Sequence, residues 1–441
     1  MLTLKLTISR IIVPTALLIS CSSTKPIQKM VKKEPEFNSR VANDQFNPDL
    51  FIENLLKQHP SRFDSILKNR VDWNVQVIYT SIDRKNDGSS RLTNHYFNMD
   101  SPRYFYPASM VKLPVTMLAL QRLNELKEKG IDKNTAMITE SADKSQTMVF
   151  NDPTTKDGRP SIAHYIKKIL MVSDNDAYNR LYEFLGQDYI NNELHKKGYT
   201  GAQLLHRLSI SLSEEENRHT NPVKFMDSNN KLVYAQNAQW NKTVYPVRND
   251  FIGKGFYRDD QLVIGPMNFS KKNRISLADL HNILISLVFP EKFSASQRFN
   301  ITVEDRRFML KYMSQLPTES KYPPYAADTI NYWPAYCKFL FAGAAKGKFP
   351  ENIRIFNKVG DAYGQMIDVA YIVDFKNKVE FFLSAAIYCN TDGILNDDKY
   401  DYDTIGLPFL KQLGQVIYEY ELKRERPVKP DLSAFIFDYD K

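Results

Sequence analysis

Hydrophobic residues recur with two different periods along the chain, and these periods predict helices and strands in separate stretches. Apolar residues spaced three and four apart predict helices over 49–67, 109–130, 161–172, 176–185, 275–288, 303–313 and 402–422. Alternating or continuously apolar runs predict strands over 73–82, 91–97, 361–374 and 378–387. Residues 49–422 are therefore predicted to form a folded domain that contains both helices and strands.

The most apolar helical run begins at Ser109, and Lys112 follows one turn later on the same helix face. Apolar surroundings disfavour the charged form of a lysine, so a neutral Lys112 could accept a proton from the serine hydroxyl. The helix N-terminus adds partial positive charge where an oxyanion would form. Pro114 is expected to bend this helix, and Gly130 to end it. Four other Ser-x-x-Lys pairs occur in the chain, and none of them opens such a run.

The first twenty residues have the pattern of an export signal. Lys5 and Arg10 precede an apolar run over 11–19 that is too short to cross a bilayer. Cys21 follows directly, in a sequence that resembles the bacterial lipoprotein cleavage box, and this resemblance implies that Cys21 is lipidated. The alternatives are an ordinary signal peptide and a short membrane anchor. We expect the protein in the cell envelope, lipid-anchored to a membrane and facing the periplasm or the exterior.

Three further segments differ from the folded domain in composition. Residues 21–48 are polar and rich in Lys, Glu, Asn and Pro, which predicts a flexible tether. Residues 223–274 have little helical periodicity, and we interpret them as an insertion, for which a hairpin-rich lid is one interpretation. Residues 423–441 are charged and are predicted to form an irregular C-terminal tail.

Composition excludes several classes of function. The hydrophobic fraction of 43% and the aromatic fraction of 12% indicate a globular protein. A formal charge of +8 is mild for this length and suits anionic ligands or an anionic surface. Basic residues form no stripe with interleaved aromatics, so we expect no nucleic-acid partner.

Cysteine and histidine usage gives no support for a metal site or a cofactor. Three cysteines are too few for a disulfide framework, and Cys337 and Cys389 could either pair or remain as buried thiols. The seven histidines show no paired spacing of metal ligands. We therefore expect no metal ion and no cofactor.

Three short motifs follow one another in a characteristic order: Ser109-Met-Val-Lys112, Ser173-Asp-Asn175 and Lys358-Val-Gly360. The first opens a helix, the second lies between helices, and the third precedes a predicted strand. This set resembles the penicillin-recognising serine enzymes, which include class A β-lactamases and D-alanyl-D-alanine peptidases. The resemblance implies an α/β (α+β) fold, with an antiparallel sheet of about five strands flanked by helices and an all-helical subdomain. It places the active site between these two parts.

The resemblance also implies roles for individual residues. Ser109 would attack a carbonyl carbon, and Lys112 would take its proton, although the base is disputed in class A enzymes. Ser173 would pass a proton to the leaving nitrogen. Backbone N–H groups of Ser109 and Asp361 would hold the oxyanion. Asn175 would bind the amide side chain of the substrate.

Two more residues of the third motif complete the predicted site. Lys358 would attract a substrate carboxylate and lower the proton affinity of neighbouring amines. Gly360 is predicted to lie among the substrate-binding residues, together with Asn175 and Asp361. Small β-lactams or peptidoglycan stem peptides are the implied partners.

The sequence departs from the family pattern at two places. No Glu-x-x-Leu-Asn segment, which carries the deacylating glutamate of class A β-lactamases, occurs between the second and third motifs. Glu214, Glu215 or Glu216 could replace that glutamate, or could form a solvated acidic patch. Val359 replaces the usual threonine or serine, and residues 361–374 contain no Arg or Lys to anchor a carboxylate.

These departures leave three hypotheses open. The first is a serine hydrolase related to class A β-lactamases. The second is a D-alanyl-D-alanine carboxypeptidase or transpeptidase that β-lactams inhibit, which the missing glutamate would favour. The third is a binding protein that has kept the pocket and lost turnover.

Overall fold

An antiparallel sheet assembled from both ends of the domain forms the centre of the computed structural model, which describes residues 50–440. The strands are β1 (Gln76–Arg84), β2 (Ser90–Phe97), β3 (Ala136–Thr139), β4 (His219–Thr220), β5 (Val223–Met226), β6 (Leu232–Gln236), β7 (Gln239–Trp240), β8 (Phe251–Ile252), β9 (Gly255–Arg258), β10 (Gln261–Ile264), β11 (Met267–Asn268), β12 (Ile353–Ala362), β13 (Gln365–Asp374), β14 (Val379–Tyr388) and β15 (Ile394–Leu395). The central sheet has the order β12-β13-β14-β1-β2, and all its neighbouring pairs are antiparallel. This arrangement confirms the predicted five-stranded sheet.

Helices cover both faces of this sheet. They are α1 (Phe51–Lys57), α2 (Pro60–Asn69), α3 (Lys112–Glu125), α4 (Ile162–Val172), α5 (Asn175–Leu185), α6 (Gln187–Lys196), α7 (Glu214–Arg218), α8 (Leu277–Val288), α9 (Val303–Ser314) and α10 (Leu407–Lys423). Side chains of α1, α2 and α10 share one core with one face of the sheet, and those of α3 and α8 share another core with the opposite face. The alternation of strand side chains between two apolar layers explains why the central strands are buried on both faces.

A polar contact in the second core fixes α8 against the middle of the sheet. The two ring nitrogens of His281 lie 2.7 Å from Ser384 Oγ on β14 and 2.8 Å from Thr80 Oγ1 on β1. Because His281 is fully buried, these two hydrogen bonds replace the ones that its ring would make to water in the unfolded chain.

The helical subdomain contains α4, α5 and α6, and α6 lies in a stretch where no helix was predicted. The expectation that this subdomain is all-helical is wrong, because a three-stranded sheet of order β3-β5-β6 belongs to it. Val223 and Phe225 of β5 are fully buried in the core that contains residues of α3 and α8, called the main core below. This burial explains why the short sheet is retained. Its strands come from two distant stretches, so local periodicity could not predict their pairing.

Two expectations about the motif-bearing elements also need correction. Residues 361–374 do not form one strand: Lys358 to Gly360 already lie within β12, and a two-residue turn at Tyr363-Gly364 separates β12 from β13. Both turn residues have positive φ, 51° and 76°, as a tight hairpin of this kind requires. Pro114 lies in the first turn of α3, where its missing N–H has no intrahelical acceptor, so the expected interior bend has no basis.

The insertion over 223–274 consists largely of short hairpins, as one interpretation of the sequence predicted. The β9–β10 hairpin adds a parallel partner, β15, which follows the central sheet in sequence. Phe256 and Phe269 of the insertion are buried with Leu395 and with Tyr106, three residues before Ser109. The insertion therefore packs beside the start of the first motif.

The C-terminal segment is irregular after α10, as predicted, but it is not detached from the domain. Leu432, Phe435 and Phe437 are buried in the main core. Phe435 packs against Phe356 of β12 and Tyr371 of β13, with ring centroids 5.6 Å and 5.0 Å apart. The segment thus covers the strand that carries Lys358.

The predicted signal peptide, tether and lipidation site at Cys21 lie outside the described residues. Among residues 50–440, no helix combines the length and the apolar character needed to span a membrane. Cys337 and Cys389 are both buried free thiols. In the same part of the chain, no cluster of His, Cys, Asp and Glu side chains could hold a metal ion.

Candidate active site

Ser109 lies in a 3-10 turn, Ala108–Val111, that leads directly into α3. Ala108 has a φ of +45°, which is rare for a residue with a side chain and marks local strain before the serine. A Cβ atom added to Gly360 would lie 2.8 Å from the carbonyl oxygen of Pro107 and 3.0 Å from the amide nitrogen of Met110. Only glycine therefore allows β12 to approach the serine turn this closely.

Lys112 is completely buried and lies at the centre of the three motifs. Its Nζ is 2.8 Å from Ser109 Oγ, 2.6 Å from Asn175 Oδ1 and 3.2 Å from Ser173 Oγ, and it also donates to the carbonyl oxygen of Ser173. An ammonium has three hydrogens for these four oxygens, whereas a neutral amine has a lone pair that can accept one hydroxyl hydrogen. The geometry thus suits proton transfer from Ser109.

The electrostatics favour that neutral amine. Burial lowers the pKa of Lys112 well below its usual range, and the positive charge of Lys358 lowers it further. Burial also lowers the pKa of Lys358, to about 8. Two buried amines close together therefore cannot both hold a proton as easily as they would in water.

Ser173 lies between the two lysines. It follows the last residue of α4 with a φ of +62°, and Asp174 then caps α5 by accepting a hydrogen bond of 2.8 Å from the N–H of Ala177. Lys358 Nζ is 2.8 Å from Ser173 Oγ, and Lys112 Nζ is 3.2 Å from the same oxygen. The hydroxyl can therefore exchange a proton with either amine.

Asn175 opens α5 and uses both ends of its amide. Its Oδ1 accepts from Lys112, and its Nδ2 donates to Ser209 Oγ at 2.7 Å. Ser209 belongs to the loop between α6 and α7 and has a φ of +53°. Asn175 thus connects Lys112 to this loop.

The residue after the third motif presents its backbone to the cleft. In the β12–β13 hairpin, Ala362 pairs with Gln365 across the turn and Asp361 pairs with Met366 next to it. Hydrogen-bonded and non-bonded pairs alternate along an antiparallel ladder, so the N–H of Asp361 points away from β13. Since β12 is an edge strand, this N–H faces the side where the serine turn packs on Gly360.

Val359 faces the opposite way. It is buried in the core that contains residues of α2 and α10, because side chains alternate along the strand and Lys358 points into the cleft. The side chain that replaces the family's threonine therefore contributes to the core and not to the cleft.

A buried network behind β12 holds the strand, and the sequence analysis did not predict it. Lys338 Nζ is 2.7 Å from Asn357 Oδ1, and Asn357 Nδ2 is 2.9 Å from Asp368 Oδ1. Asp368 also accepts from the N–H of Leu340 at 2.9 Å. Polar residues inside the otherwise apolar strands β12 and β13 were the available signal, but their partner at Lys338 lies in an irregular segment.

The three glutamates that could replace a deacylating residue are engaged elsewhere. Glu214 pairs with Lys271 and Arg218, Glu215 lies 3.2 Å from His219, and Glu216 caps the N-terminus of α7. They form a solvated acidic patch. Among residues 50–440, no carboxylate hydrogen-bonds to the side chain of Ser109, Lys112 or Ser173.

Residues 62–420, most of the chain, match the sequence model of the β-lactamase enzyme family. The chain belongs to this family. As a member, it is a serine hydrolase related to the β-lactamases. No curated protein matches the sequence.

Solved structures give further likenesses to this β-lactamase-family chain. A β-lactamase from Sphaerobacter thermophilus is 13% identical, with 86% of this chain and 99% of that chain covered and a TM-score of 0.45. A class A β-lactamase from Clostridium kluyveri is 13% identical, with 82% and 98% covered and a TM-score of 0.43. A single-residue mutant of PBP-A, in an acyl-enzyme complex with penicillin G, is 13% identical, with 87% and 100% covered and a TM-score of 0.45.

Proposed function

We propose that this serine hydrolase forms an acyl-enzyme at Ser109 with β-lactams and with amides of the D-alanyl-D-alanine type. The observation that carries the proposal is the position of Lys112 Nζ, which lies within hydrogen-bond distance of Ser109, Ser173 and Asn175 at once. A buried amine of low proton affinity beside a serine hydroxyl is the arrangement that activates a serine nucleophile.

The proposed acylation proceeds in three proton transfers. Neutral Lys112 takes the Ser109 hydroxyl proton as Oγ bonds to the carbonyl carbon, and the N–H groups of Ser109 and Asp361 stabilise the oxyanion. The C–N bond then breaks while Ser173 gives its proton to the leaving nitrogen. Lys112 returns its proton to Ser173, directly at 3.2 Å, and Lys358 holds the Ser173 oxygen during the exchange.

We propose that release of a penicilloyl group is slow. Hydrolysis of the acyl-enzyme needs a base for the attacking water. Support comes from the engagement of Glu214, Glu215 and Glu216 in the acidic patch. This favours a cell-wall peptidase or transpeptidase, with a peptidoglycan stem peptide as partner, over an efficient β-lactamase.

The location proposed for the enzyme is the cell envelope, with a lipid anchor at Cys21. Support comes from the basic start, the short apolar run and the cysteine directly after it. A mature protein whose intact mass still includes residues 1–20 would contradict this proposal.

The test of acylation follows the intact mass of the purified domain after penicillin G is added. We expect one penicilloyl adduct on wild type that persists after free penicillin G has been removed, and no adduct on Ser109→Ala. Rapid loss of the adduct with release of product would indicate a β-lactamase. Absence of any adduct on wild type would contradict the proposal and favour a binding protein.

A further inference from the structure

A cavity of about 340 Å³ lies between the loop that precedes α7 and the end of the insertion. Leu205, Ile210 and Leu212 give it apolar wall area, and His206 and Lys272 contribute polar groups. The insertion supplies Lys272, so the cavity depends on a segment that lies outside the three motifs.

The cavity adjoins the catalytic cluster at two points. The ring of His206 lies parallel to that of Tyr106, with centroids 6.0 Å apart and planes inclined by 2°. Tyr106 is three residues before Ser109. The second point is the bond from Asn175 to Ser209, the residue that precedes Ile210 in the cavity wall. These two contacts connect the cavity wall to the residues around Ser109, one through Tyr106 and the other through Asn175.

Lys272 is a partly buried cation without a counter-ion. Among the described residues, no carboxylate lies within ion-pair distance of its Nζ. The nearest candidate in the wall, Glu214, is already paired with Lys271 and Arg218. Burial lowers the pKa of Lys272, and no neighbouring charge opposes that effect. A ligand carboxylate would supply the missing partner.

His206 offers a hydrogen-bond acceptor, whereas Lys272 offers a positive charge. Its Nδ1 lies 2.6 Å from the carbonyl oxygen of Arg207, so Nδ1 carries the hydrogen and Nε2 is left as an acceptor. Burial lowers the pKa of His206 to about 4, which keeps the ring neutral at pH 7. Nε2 is buried and has no hydrogen-bond partner. An N–H group from a ligand would satisfy it.

We propose that this cavity is a subsite for the acyl-donor side of a peptide substrate, with a substrate carboxylate on Lys272 and a peptide N–H on His206 Nε2. The inference rests on the proposed acylation at Ser109, whose substrate class it narrows to peptides that carry a carboxylate on that side. A neutral β-lactam side chain would leave Lys272 without a counter-ion.

The test measures equilibrium binding to Ser109→Ala by titration calorimetry, so that the readout does not require acylation. The probes are two D-alanyl-D-alanine peptides that differ only in their N-terminal cap, succinyl or butanoyl. Both caps have the same length, but only succinyl ends in a carboxylate. We expect the succinyl peptide to bind roughly tenfold more tightly, which corresponds to about 1.4 kcal/mol.

Matched variants assign that preference to the cavity. Adding Lys272→Ala should make the two peptides bind equally. Adding Lys254→Ala should retain the preference, because Lys254 is an exposed lysine of the insertion that does not line the cavity. His206→Phe, which keeps a ring beside Tyr106, should weaken both peptides and leave their ratio unchanged.

Equal binding of the two peptides to Ser109→Ala, no binding of either, or a preference that survives Lys272→Ala would each overturn the subsite. Failure of the penicillin adduct to form on wild type would count against acylation alone, because peptide binding to Ser109→Ala is measured without it.

Discussion

At the scale of single residues, the proposed chemistry depends on the lowered proton affinity of two buried amines. Lys112 and Lys358 both contact Ser173 Oγ, and neither has a carboxylate hydrogen-bonded to its Nζ in the described part of the chain. Each positive charge therefore makes the other less favourable. The availability of the base follows from this mutual effect and from burial together.

The pH dependence of acylation tests this coupling. Removing the ammonium in Lys358→Ala removes a like charge, so the pKa of Lys112 should rise and the acidic limb of the rate should move to higher pH. The second-order rate constant for penicilloyl formation, measured from pH 5 to 10, gives the position of that limb. Lys358→Arg keeps the charge and should leave the limb near its wild-type position. An unmoved limb in Lys358→Ala would show that Lys358 does not tune the base.

At the scale of elements, the strand that carries the third motif is held from both sides. Gly360 packs on the serine turn, and the network of Lys338, Asn357 and Asp368 fixes β12 to β13 and to the segment before it. On the far side, the C-terminal segment covers Phe356, two residues before Lys358. The position of Lys358 thus depends on elements distant from it in sequence.

The C-terminal segment should consequently contribute to stability. Phe435 is 7% exposed whereas its neighbour Ile436 is 59% exposed. Phe435→Ala should lower the free energy of unfolding by about 3 kcal/mol, because it leaves a cavity against Phe356 and Tyr371. Ile436→Ala should change it by less than about 0.5 kcal/mol. Urea unfolding of both variants measures the difference, and equal effects would mean that the segment does not pack as described.

At the scale of the whole molecule, the fold joins a sheet built from both chain ends to a subdomain built from the middle. The side chains of the three motifs come from the serine turn, the α4–α5 junction and β12. They meet where these parts join. The sheet side of this junction is fixed in part by α8, whose His281 hydrogen-bonds to β1 and β14 together.

The stability of the domain should depend on the neutral state of His281. Burial lowers its pKa to about 3, whereas an unfolded histidine titrates near 6.5. Below pH 6.5 the unfolded chain binds a proton that the folded chain refuses, so this group's contribution is present above pH 6.5 and is lost as pH falls towards 3. Between pH 7.5 and 5.5, wild type should lose about 1.4 kcal/mol more stability than His281→Asn. Urea unfolding at both pH values measures this, and parallel losses in the two proteins would contradict it.

Much of the fold was predictable because its elements have strong local signals. The N-terminal helices, the hairpin of β1 and β2, the serine helix, the α4–α5 junction and the closing helix all follow from periodicity and capping residues. The prediction of a single strand over 361–374 was wrong because Tyr363, a bulky residue, occupies a turn position of positive φ. Sequence patterns do not anticipate this conformation for a tyrosine. The β3-β5-β6 sheet was not predicted because its strands come from distant parts of the chain.

The sequence by itself determined which chemical groups the site could contain, because three motifs in order specify a hydroxyl, two amines and a carboxamide. Tertiary structure alone decided their distances and the burial that lowers the pKa values of the lysines. It also decided that, among residues 50–440, no carboxylate hydrogen-bonds to the side chains of Ser109, Lys112 and Ser173. It also decided that residues 205–217 and the end of the insertion enclose a cavity lined by His206 and Lys272. Proton affinity and shape depend on neighbours brought together from distant parts of the chain, and local sequence patterns do not encode those neighbours.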